Sequence, residues 1–213
     1  MKNTTEKTQT NKNMKTIIIS IMLLAIACAP EKQKVIDKEK KTDLTKFSDS
    51  AYQYCIKKNF NKNFYFLVNL KEHSGHKRFY VWDFTKNKPV DTFMVSHGCG
   101  NNMWKTDYTK SNPVISNKLN SHCSSVGKYV IEERGCSSFG IGVKYNLTGL
   151  DKTNNNARRR AIVLHSWEEV TDYETYPYGT PEGWGCPAVS NNSMRQIDKM
   201  LKANDNTLMW IIN

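Results

Sequence analysis

One cysteine and one histidine, with twenty residues between them, are the side chains in this sequence best suited to chemistry. Cys186 lies in the segment Gly183–Ala188, between a glycine and a proline, and His165 ends the apolar run that starts at Ala161. A thiol becomes an effective nucleophile when a neighbouring base takes its proton. The pair therefore predicts attack by Cys186 on an acyl carbonyl, with His165 as the base.

The residues around Cys186 suit such a reaction. Gly185 lets the backbone approach a substrate closely, and Pro187 fixes the path of the chain after the cysteine. The backbone N–H groups of Gly185 and Cys186 are candidates to stabilise a developing oxyanion. Taken alone, a Gly-Cys-Pro triplet is as typical of a buried turn, and a histidine that ends an apolar strand is commonly structural, so both readings stay open on these residues.

The elements that must position this pair are mainly β-strands. Alternating or continuous apolar runs bounded by turn residues predict strands, and apolar residues spaced three and four apart predict a helix. A helix is expected over Leu44–Lys57, and a second one after a cap at Ser190 or Asn191. We therefore expect a single mainly β domain with short helices over residues 46–213, with strands at 64–70, 78–84, 90–96, 127–132, 141–147, 160–165 and 208–212.

The N-terminal residues predict export rather than structure. Lys15 precedes an apolar stretch over 17–27 that is too short for a comfortable membrane span, and Cys28 follows small residues. This pattern is typical of a bacterial lipoprotein signal over residues 1–28, with Met14 as an alternative start and Cys28 as the lipidated residue. An ordinary cleaved signal peptide is the other reading. Residues 29–45 are rich in Lys and Glu and predict a flexible tether between a membrane anchor and the domain.

Charge and cysteine content exclude several classes of function. The net charge is +11, but no arginine-rich helix, paired-cysteine zinc pattern or aromatic RNA-binding motif accompanies it, so we expect no nucleic-acid partner. No cysteines or histidines have the spacing of a zinc site, and we expect neither a metal nor a cofactor. If Cys28 is lipidated, five cysteines remain, an odd number, and the pairing of Cys55, Cys99, Cys123 and Cys136 is undetermined.

Four segments, in order, resemble the L,D-transpeptidase catalytic-domain (YkuD-like) family, in particular its murein branch. Met94–Gly98 is similar to the strand and turn that end in Ser-x-Gly, and Ser124–Ile131 to the segment Thr-Pro-x-Gly with its strand. Ala161–Ser166 resembles the strand that delivers the catalytic histidine. Gly183–Pro187 resembles the Ser/Thr-His-Gly-Cys segment that delivers the nucleophile. Together these segments span about residues 95–189.

The resemblance implies a β-sandwich or mixed sheet and a two-step acyl transfer on peptidoglycan stem peptides. Cys186 would be the nucleophile, His165 the base and Ser166 the group that orients the imidazole. The acyl-enzyme would be resolved by an amine, which gives a 3-3 cross-link, or by water, which gives L,D-carboxypeptidase activity. The residues proposed to bind substrate are Trp184, His97 and Arg160. We expect the protein to act as a monomer.

The sequence departs from the family pattern in the segment that carries the nucleophile. Gly183 stands where the family has serine or threonine, and Trp184 stands where a second histidine is common. The interval between His165 and Cys186 is also longer than usual, which predicts an inserted loop that shapes the substrate groove. Three alternatives follow: a catalytically idle wall-binding lipoprotein, a sortase-like transpeptidase, and a metal hydrolase, although the last lacks His-x-x-x-His spacing.

Overall fold

The computed structural model describes residues 43–102 and 112–213. The predicted signal segment, Cys28 and most of the predicted tether lie outside these residues. The described part contains two helices and eight strands: α1 Thr45–Lys58, β1 Phe64–Asn69, β2 Phe79–Asp83, β3 Lys88–Phe93, β4 Gly127–Cys136, β5 Val143–Gly149, β6 Val163–Ser166, β7 Ala188–Val189, α2 Asn191–Lys202 and β8 Thr207–Ile212.

The eight strands form one mixed sheet in the order β3-β2-β1-β8-β4-β5-β6-β7. Strands β1 to β3 form an antiparallel meander, and β4 to β6 form a second antiparallel run. The last strand, β8, joins the two runs because it pairs parallel to β1 and antiparallel to β4. The short strand β7 pairs parallel to β6, with Ala188 opposite His165. The predicted mainly β fold with a mixed sheet and short helices is confirmed.

Both faces of the central strands are buried, because each face has its own cover. In β1 every residue is buried, and successive side chains point to opposite sides of the sheet. Tyr65 and Leu67 join a cluster that contains Ala51 and Cys55 of α1. Phe66 joins the larger cluster on the other face, to which α2 contributes Met194, Ile197 and Leu201. This two-sided burial explains why the strand reads as a continuous apolar run rather than an alternating one.

Helix α2 begins where the sequence predicts it. The Ser190 side chain accepts a hydrogen bond from the N–H of Ser193, 3.0 Å away, and this satisfies one donor of the first turn. Asp172, from the segment before β7, accepts from the Ser190 hydroxyl and from Asn192 Nδ2. Ser190 is thereby hydrogen-bonded to Asp172, in the segment that follows His165.

The strand boundaries differ from the sequence prediction near the site. Strand β3 ends at Phe93, so the segment from Met94 to Gly98 leaves the sheet rather than extending it. Strand β4 continues to Cys136 past an irregularity between Ile131 and Arg134. The two-residue strand β7 was not predicted, because two apolar residues after a proline give no periodic signal. No helix within residues 43–102 and 112–213 is long and apolar enough to cross a membrane.

Asp198 on α2 links the helix to the sheet and provides a test of this packing. Its carboxylate accepts from Arg134 Nε at 2.7 Å, from the Tyr145 hydroxyl at 2.8 Å and from Lys202 Nζ at 2.8 Å. Burial acts to raise the pKa of Asp198, but hydrogen bonds from these three partners outweigh it and hold the pKa below the usual value. The ionised carboxylate therefore stabilises the folded state above the unfolded pKa near ~4, and this stability is lost as the pH falls below that value.

We expect Asp198→Asn to lower the free energy of unfolding by about 1.5–3 kcal/mol at pH 7, because hydrogen bonds to a charged group are lost. Urea unfolding of both proteins at several pH values measures this. The difference should shrink below about pH 4, where the wild-type carboxylate becomes protonated. Asp205→Asn, at an exposed position, is the matched control. An equal loss in both variants, or a loss that does not depend on pH, would contradict the role given to Asp198.

Candidate active site

The segment that carries Cys186 is held by backbone pairing to the segment after β3. The N–H of Gly183 donates to the carbonyl of His97 at 2.7 Å, and the N–H of Cys99 donates to the carbonyl of Gly183 at 2.8 Å. Gly98 and Gly183 form an isolated parallel bridge. The motif around Met94–Gly98 and the motif around Cys186 are therefore neighbours, although more than eighty residues separate them in the chain.

Gly185 is required by the close approach of a second segment. Its φ is +102°, and a Cβ at this position would overlap the carbonyl of Cys123. The Ser124 hydroxyl donates to the carbonyl of Gly185 at 3.3 Å. The segment Ser124–Ile131, which the sequence matched as a separate motif, therefore begins by bracing the residue before the predicted nucleophile.

The Cys186 thiol is partly buried and lies against the start of β6. The N–H of Val163 donates to Sγ at 3.5 Å, and Sγ lies 3.8 Å from the carbonyl oxygen of Ala161. Burial raises the pKa of the Cys186 thiol, while the Val163 N–H and the charges of Arg160 and Lys144 act to lower it. The net direction is upward, so the substrate-free protein holds Cys186 as a neutral thiol at pH 7.

His165 lies on β6 with one ring nitrogen fixed by the backbone. Nδ1 is 2.9 Å from the carbonyl oxygen of Ser166. Since a carbonyl can only accept, Nδ1 must carry the proton and Nε2 must be the unprotonated nitrogen. Burial lowers the pKa of His165, although the Ser166 carbonyl acts to raise it. The imidazole is therefore a neutral base at pH 7.

Ser166 orients the imidazole through its backbone and not through its side chain. The Ser166 hydroxyl accepts instead from the N–H of Ile141 at 2.9 Å. It also occupies the space beside Gly140, which has a φ of +57° and leaves no room for a Cβ. The hydroxyl thereby fixes the turn that carries Phe139, whose ring centroid is 5.4 Å from that of His165.

Cys186 and His165 line the same cavity. The cavity has a volume of about 490 Å³, and its walls are mostly apolar. Phe139 and Trp184 are both about half exposed, at 52% and 55%. The other lining residues are Ser96, Trp167, Glu169, Pro181, Glu182, Gly183 and Ala188. Cys186 lines the cavity but Gly185 does not, so the predicted use of their backbone N–H groups as oxyanion donors stays a prediction.

Of the three residues predicted to bind substrate, Trp184 lines the cavity and His97 and Arg160 do not. Trp184 lies in the cavity wall, with its ring 5.0 Å from that of His122. His97 is fully buried behind the wall, with its ring nitrogens near Arg78 and Glu182, and it does not line the cavity. A direct contact between His97 and substrate is therefore a poor fit to this geometry, because His97 reaches the cavity wall only through its contacts with Glu182 and Gly183.

Arg160 is used to hold a neighbouring segment. Its guanidinium donates to the carbonyl of Ser116 at 3.0 Å, to the Ser125 hydroxyl at 3.2 Å and to the carbonyl of Cys123. Arg160 does not line the cavity, and both terminal nitrogens of its guanidinium are bonded to the segment that braces Gly185. Its predicted role in binding substrate stays a prediction, and its observed role is to position residues 116–125.

The loop between His165 and Cys186 docks on the turn before β2. The N–H groups of Thr175 and Tyr176 both reach the carbonyl of Gly75, at 2.8 and 3.2 Å. The Tyr176 ring stacks on His76 with centroids 4.7 Å apart. The end of the loop supplies Pro181 and Glu182 to the cavity wall. The predicted inserted loop therefore contributes to the cavity, and its Tyr176 contacts the turn before β2.

Sequence reasoning missed Phe139 and the buried Arg78. Phe139 follows two serines and precedes Gly140, a pattern that predicts a surface turn and gives no sign of a neighbouring histidine. Arg78 opens a strand and reads as a solvated end residue, yet it is fully buried. The cysteines of the described residues, Cys55, Cys99, Cys123, Cys136 and Cys186, are all free thiols.

Comparison with known proteins identifies the family. Residues 37–210 match the L,D-transpeptidase catalytic domain, and the chain belongs to this family, whose members act on peptidoglycan. The match begins inside the segment predicted as a tether. No curated protein matches the chain.

Solved structures similar to this chain are distant relatives. They include an L,D-transpeptidase from Xylanimonas cellulosilytica (13% identity, TM-score 0.38, 75% of this chain and 68% of that one). Bd1075 of Bdellovibrio bacteriovorus is 16% identical, with a TM-score of 0.39 over 73% of this chain and 49% of that one. The helical cell shape determining protein Pgp2 of Campylobacter jejuni is 13% identical, with a TM-score of 0.39 over 75% and 54%. The chain thus spans about half the length of the last two.

The raised pKa of Cys186 leads to a direct prediction. We expect alkylation of Cys186 by iodoacetamide in the substrate-free protein to follow an apparent pKa above the ordinary thiol value of ~8.5. Peptide mass analysis after timed alkylation between pH 6 and pH 10 measures it, and Cys136, which is exposed, reports the reagent's behaviour in the same sample. An apparent pKa below ~7 would instead mean that a thiolate–imidazolium pair exists at rest.

Proposed function

We propose that this protein is a peptidoglycan L,D-transpeptidase that acts through a Cys186 acyl-enzyme. The observation that carries the proposal is the meeting of Cys186 and His165 in one largely apolar cavity, in a chain that belongs to the L,D-transpeptidase family. The substrate would be a stem peptide, and the bond broken would be the amide after its third residue. Trp184, in the cavity wall, is positioned to contact the stem peptide.

In the first step, His165 takes the thiol proton at Nε2 while Sγ of Cys186 attacks the carbonyl carbon. The fixed Nδ1–H to Ser166 leaves Nε2 as the acceptor, so one tautomer serves the reaction. The N–H groups of Gly185 and Cys186 donate to the carbonyl oxygen as it becomes negative. His165 then returns the proton to the leaving nitrogen, and the terminal D-amino acid departs as an amine.

The resting protonation states determine when the proton moves. Both groups are neutral without substrate, because burial raises the pKa of Cys186 and lowers that of His165. A stable ion pair would therefore not precede substrate binding. Proton transfer instead accompanies attack, when the developing oxyanion and the imidazolium compensate each other's charge in the apolar cavity.

In the second step, an acceptor attacks the thioester carbonyl and His165 takes the acceptor's proton. Sγ of Cys186 leaves and recovers a proton from the imidazolium, which regenerates the starting site. An amine from a second stem peptide gives a 3-3 cross-link, and water gives L,D-carboxypeptidase activity. The acceptor decides between these products, and the chemistry of the protein's own residues is the same for both.

The acyl-enzyme can be detected by intact mass. We expect the purified wild-type protein to gain the mass of one carbapenem and Cys186→Ala to gain none, because a strained β-lactam carbonyl acylates the nucleophile. His165→Gln should slow acylation by about 10²-fold, since a general base contributes on this order. With purified sacculi, new dimeric muropeptides would indicate cross-linking and shortened stems would indicate trimming.

Two outcomes would overturn the proposal. An equal adduct on wild type and Cys186→Ala would place the acylated residue elsewhere. No adduct, together with unchanged muropeptides and retained binding to sacculi, would favour the catalytically idle wall-binding protein. Circular dichroism of both variants shows whether lost reactivity reflects lost folding.

We also propose that the protein is exported and anchored to a membrane through lipid on Cys28. The support is the sequence pattern of a basic residue, an apolar stretch and small residues before this cysteine. A domain that acts on the cell wall must reach it, and a lipid anchor followed by residues 29–45 would hold the domain near that substrate. The predicted domain limits, 46–213, and the monomeric state belong to the same proposal.

Metabolic labelling tests the anchor. We expect cells that express the protein to incorporate radioactive palmitate into it, and Cys28→Ser to abolish the label because the acylated sulfur is removed. Cys55→Ser, at a buried position of α1, is the matched control and should keep the label. Palmitate incorporation that survives Cys28→Ser would rule out lipidation at this residue.

A further inference from the structure

Three charged or titratable side chains lie buried together beside the cavity: Glu182 lines it, whereas Arg78 and His97 do not. Arg78 and His97 are fully buried, and the Glu182 side chain is fully buried as well. Nη2 of Arg78 is 2.6 Å from Nδ1 of His97, and Nε2 of His97 is 3.3 Å from Oε1 of Glu182. They come from three separate parts of the chain: the start of β2, the segment after β3 and the loop before Cys186.

The chemistry of the partners fixes the direction of each hydrogen bond. A guanidinium can only donate, so Nδ1 of His97 accepts from Arg78. The remaining ring nitrogen, Nε2, then carries the proton and donates to the Glu182 carboxylate. A neutral imidazole therefore bridges a buried cation and a buried anion. Burial lowers the pKa of His97, which keeps the bridge neutral at pH 7.

The Arg78 end of the triad is rigidly attached to the fold. Its guanidinium also donates to the carbonyl oxygens of Leu70 and Glu72, at 3.3 and 3.0 Å, and to that of Val95, at 3.1 Å. These carbonyls belong to the segment that follows β1 and to the segment that follows β3. The cation thereby ties His97 to the sheet through several fixed acceptors.

The Glu182 end of the triad is attached to the nucleophile loop. Glu182 immediately precedes Gly183, whose N–H donates to the carbonyl of His97. The side chain of His97 thus holds Glu182 while its backbone holds the next residue. Cys186 follows Glu182 by four residues, so a shift of the carboxylate would be passed to the residues that set the position of Sγ.

We propose that Arg78, His97 and Glu182 form a positioning triad that holds the loop 183–186 so that Cys186 meets the substrate carbonyl correctly. The proposal rests on the proposed function, in which Cys186 is the nucleophile. None of the three residues touches the reacting atoms. Their contribution is to the geometry of attack, where an error near 1 Å can cost about 10²-fold in rate.

The energetics favour a positioning role over one in stability. Removing an arginine and a carboxylate from water is costly, and well-packed apolar side chains of similar volume often stabilise a protein as well or better. A hydrogen-bonded chain of three groups, in contrast, specifies distance and direction. The charges are therefore best explained by the fixed geometry that they give to the loop.

Glu182→Gln tests the triad, because it keeps the size of the side chain and removes the charge that attracts the His97 N–H. Glu174→Gln is a matched control from the same loop: Oε2 of Glu174 lies 3.3 Å from His76 Nδ1, but both side chains are partly exposed. Carbapenem acylation is measured as a maximal rate constant and a half-saturating concentration. Rates are expressed per folded molecule, with the folded fraction taken from near-ultraviolet circular dichroism.

We expect Glu182→Gln to lower the maximal acylation rate by about 10²-fold with little change in half-saturating concentration, because the cavity wall persists and the alignment of Sγ is lost. Glu174→Gln should keep the wild-type values. If folded Glu182→Gln reacts as fast as Glu174→Gln, the triad does not position the nucleophile. If the wild type itself forms no adduct at Cys186, the proposed function fails instead, so the two failures are distinguishable.

A second pair of variants decides the question if Glu182→Gln does not fold. His97→Gln provides an amide that can accept from Arg78 and donate to Glu182, whereas His97→Leu fills similar space without hydrogen bonds. We expect His97→Gln to be acylated at least about ten times faster per folded molecule than His97→Leu, because only the amide restores the link. Equal rates in these two variants would overturn the proposal.

Discussion

The position of Cys186 depends on the pairing of two chain segments that lie outside the regular strands. Ser96 N–H donates to the carbonyl of Ala188 at 2.9 Å, and Gly183 and His97 are joined by a second backbone hydrogen bond. His165 reaches the same place independently, because β6 pairs with β7 in a register that sets it opposite Ala188. Cys186 and His165 are therefore positioned by two different pairings that share the residues just after Cys186. A slip in either pairing would separate them, which explains why so many side chains brace this region.

The charged side chains that brace the site are held by fixed partners. Arg78 is buried and does not line the cavity, Glu182 lines the cavity with its side chain buried against His97, and Arg160 donates to backbone oxygens of the segment that braces Gly185. The cavity side holds a neutral thiol and a neutral imidazole in mostly apolar surroundings. Glu169 and Glu182 also line this cavity, and the charges of Arg160 and Lys144 act to lower the pKa of Cys186.

The sequence predicts the elements well and the contacts between them poorly. Continuous apolar runs identify most strands, and Ser190 marks the start of α2, because these signals are local. The pairing of Arg78 with His97 is not local, and an arginine at the start of a strand gives no sign that it is fully buried. The motif resemblance brings His165 and Cys186 together but does not say which part of Ser166 orients the ring. The Ser166 hydroxyl does not orient the ring because it accepts from the N–H of Ile141 and packs against Gly140 in a tight turn. Contacts between residues far apart in the sequence thus determine the burial of Arg78 and the orientation of His165, which the apolar runs and motifs do not predict.

Trp184 lies in the cavity wall at the position where the family commonly has a second histidine. The chain has five histidines, and among the described residues only His165 lines the cavity. His97, which the sequence suggests as a substitute for the histidine that the family commonly has before Gly-Cys, is buried with both ring nitrogens engaged. In the proposed mechanism His165 must therefore accept and return the proton in both half-reactions, without a second imidazole. Trp184 offers an exposed aromatic face at the cavity wall instead, which adds contact area for a substrate and no proton-transfer group. In the proposed mechanism this position therefore contributes substrate contact rather than proton transfer, and the proposed triad of Arg78, His97 and Glu182 aligns Cys186.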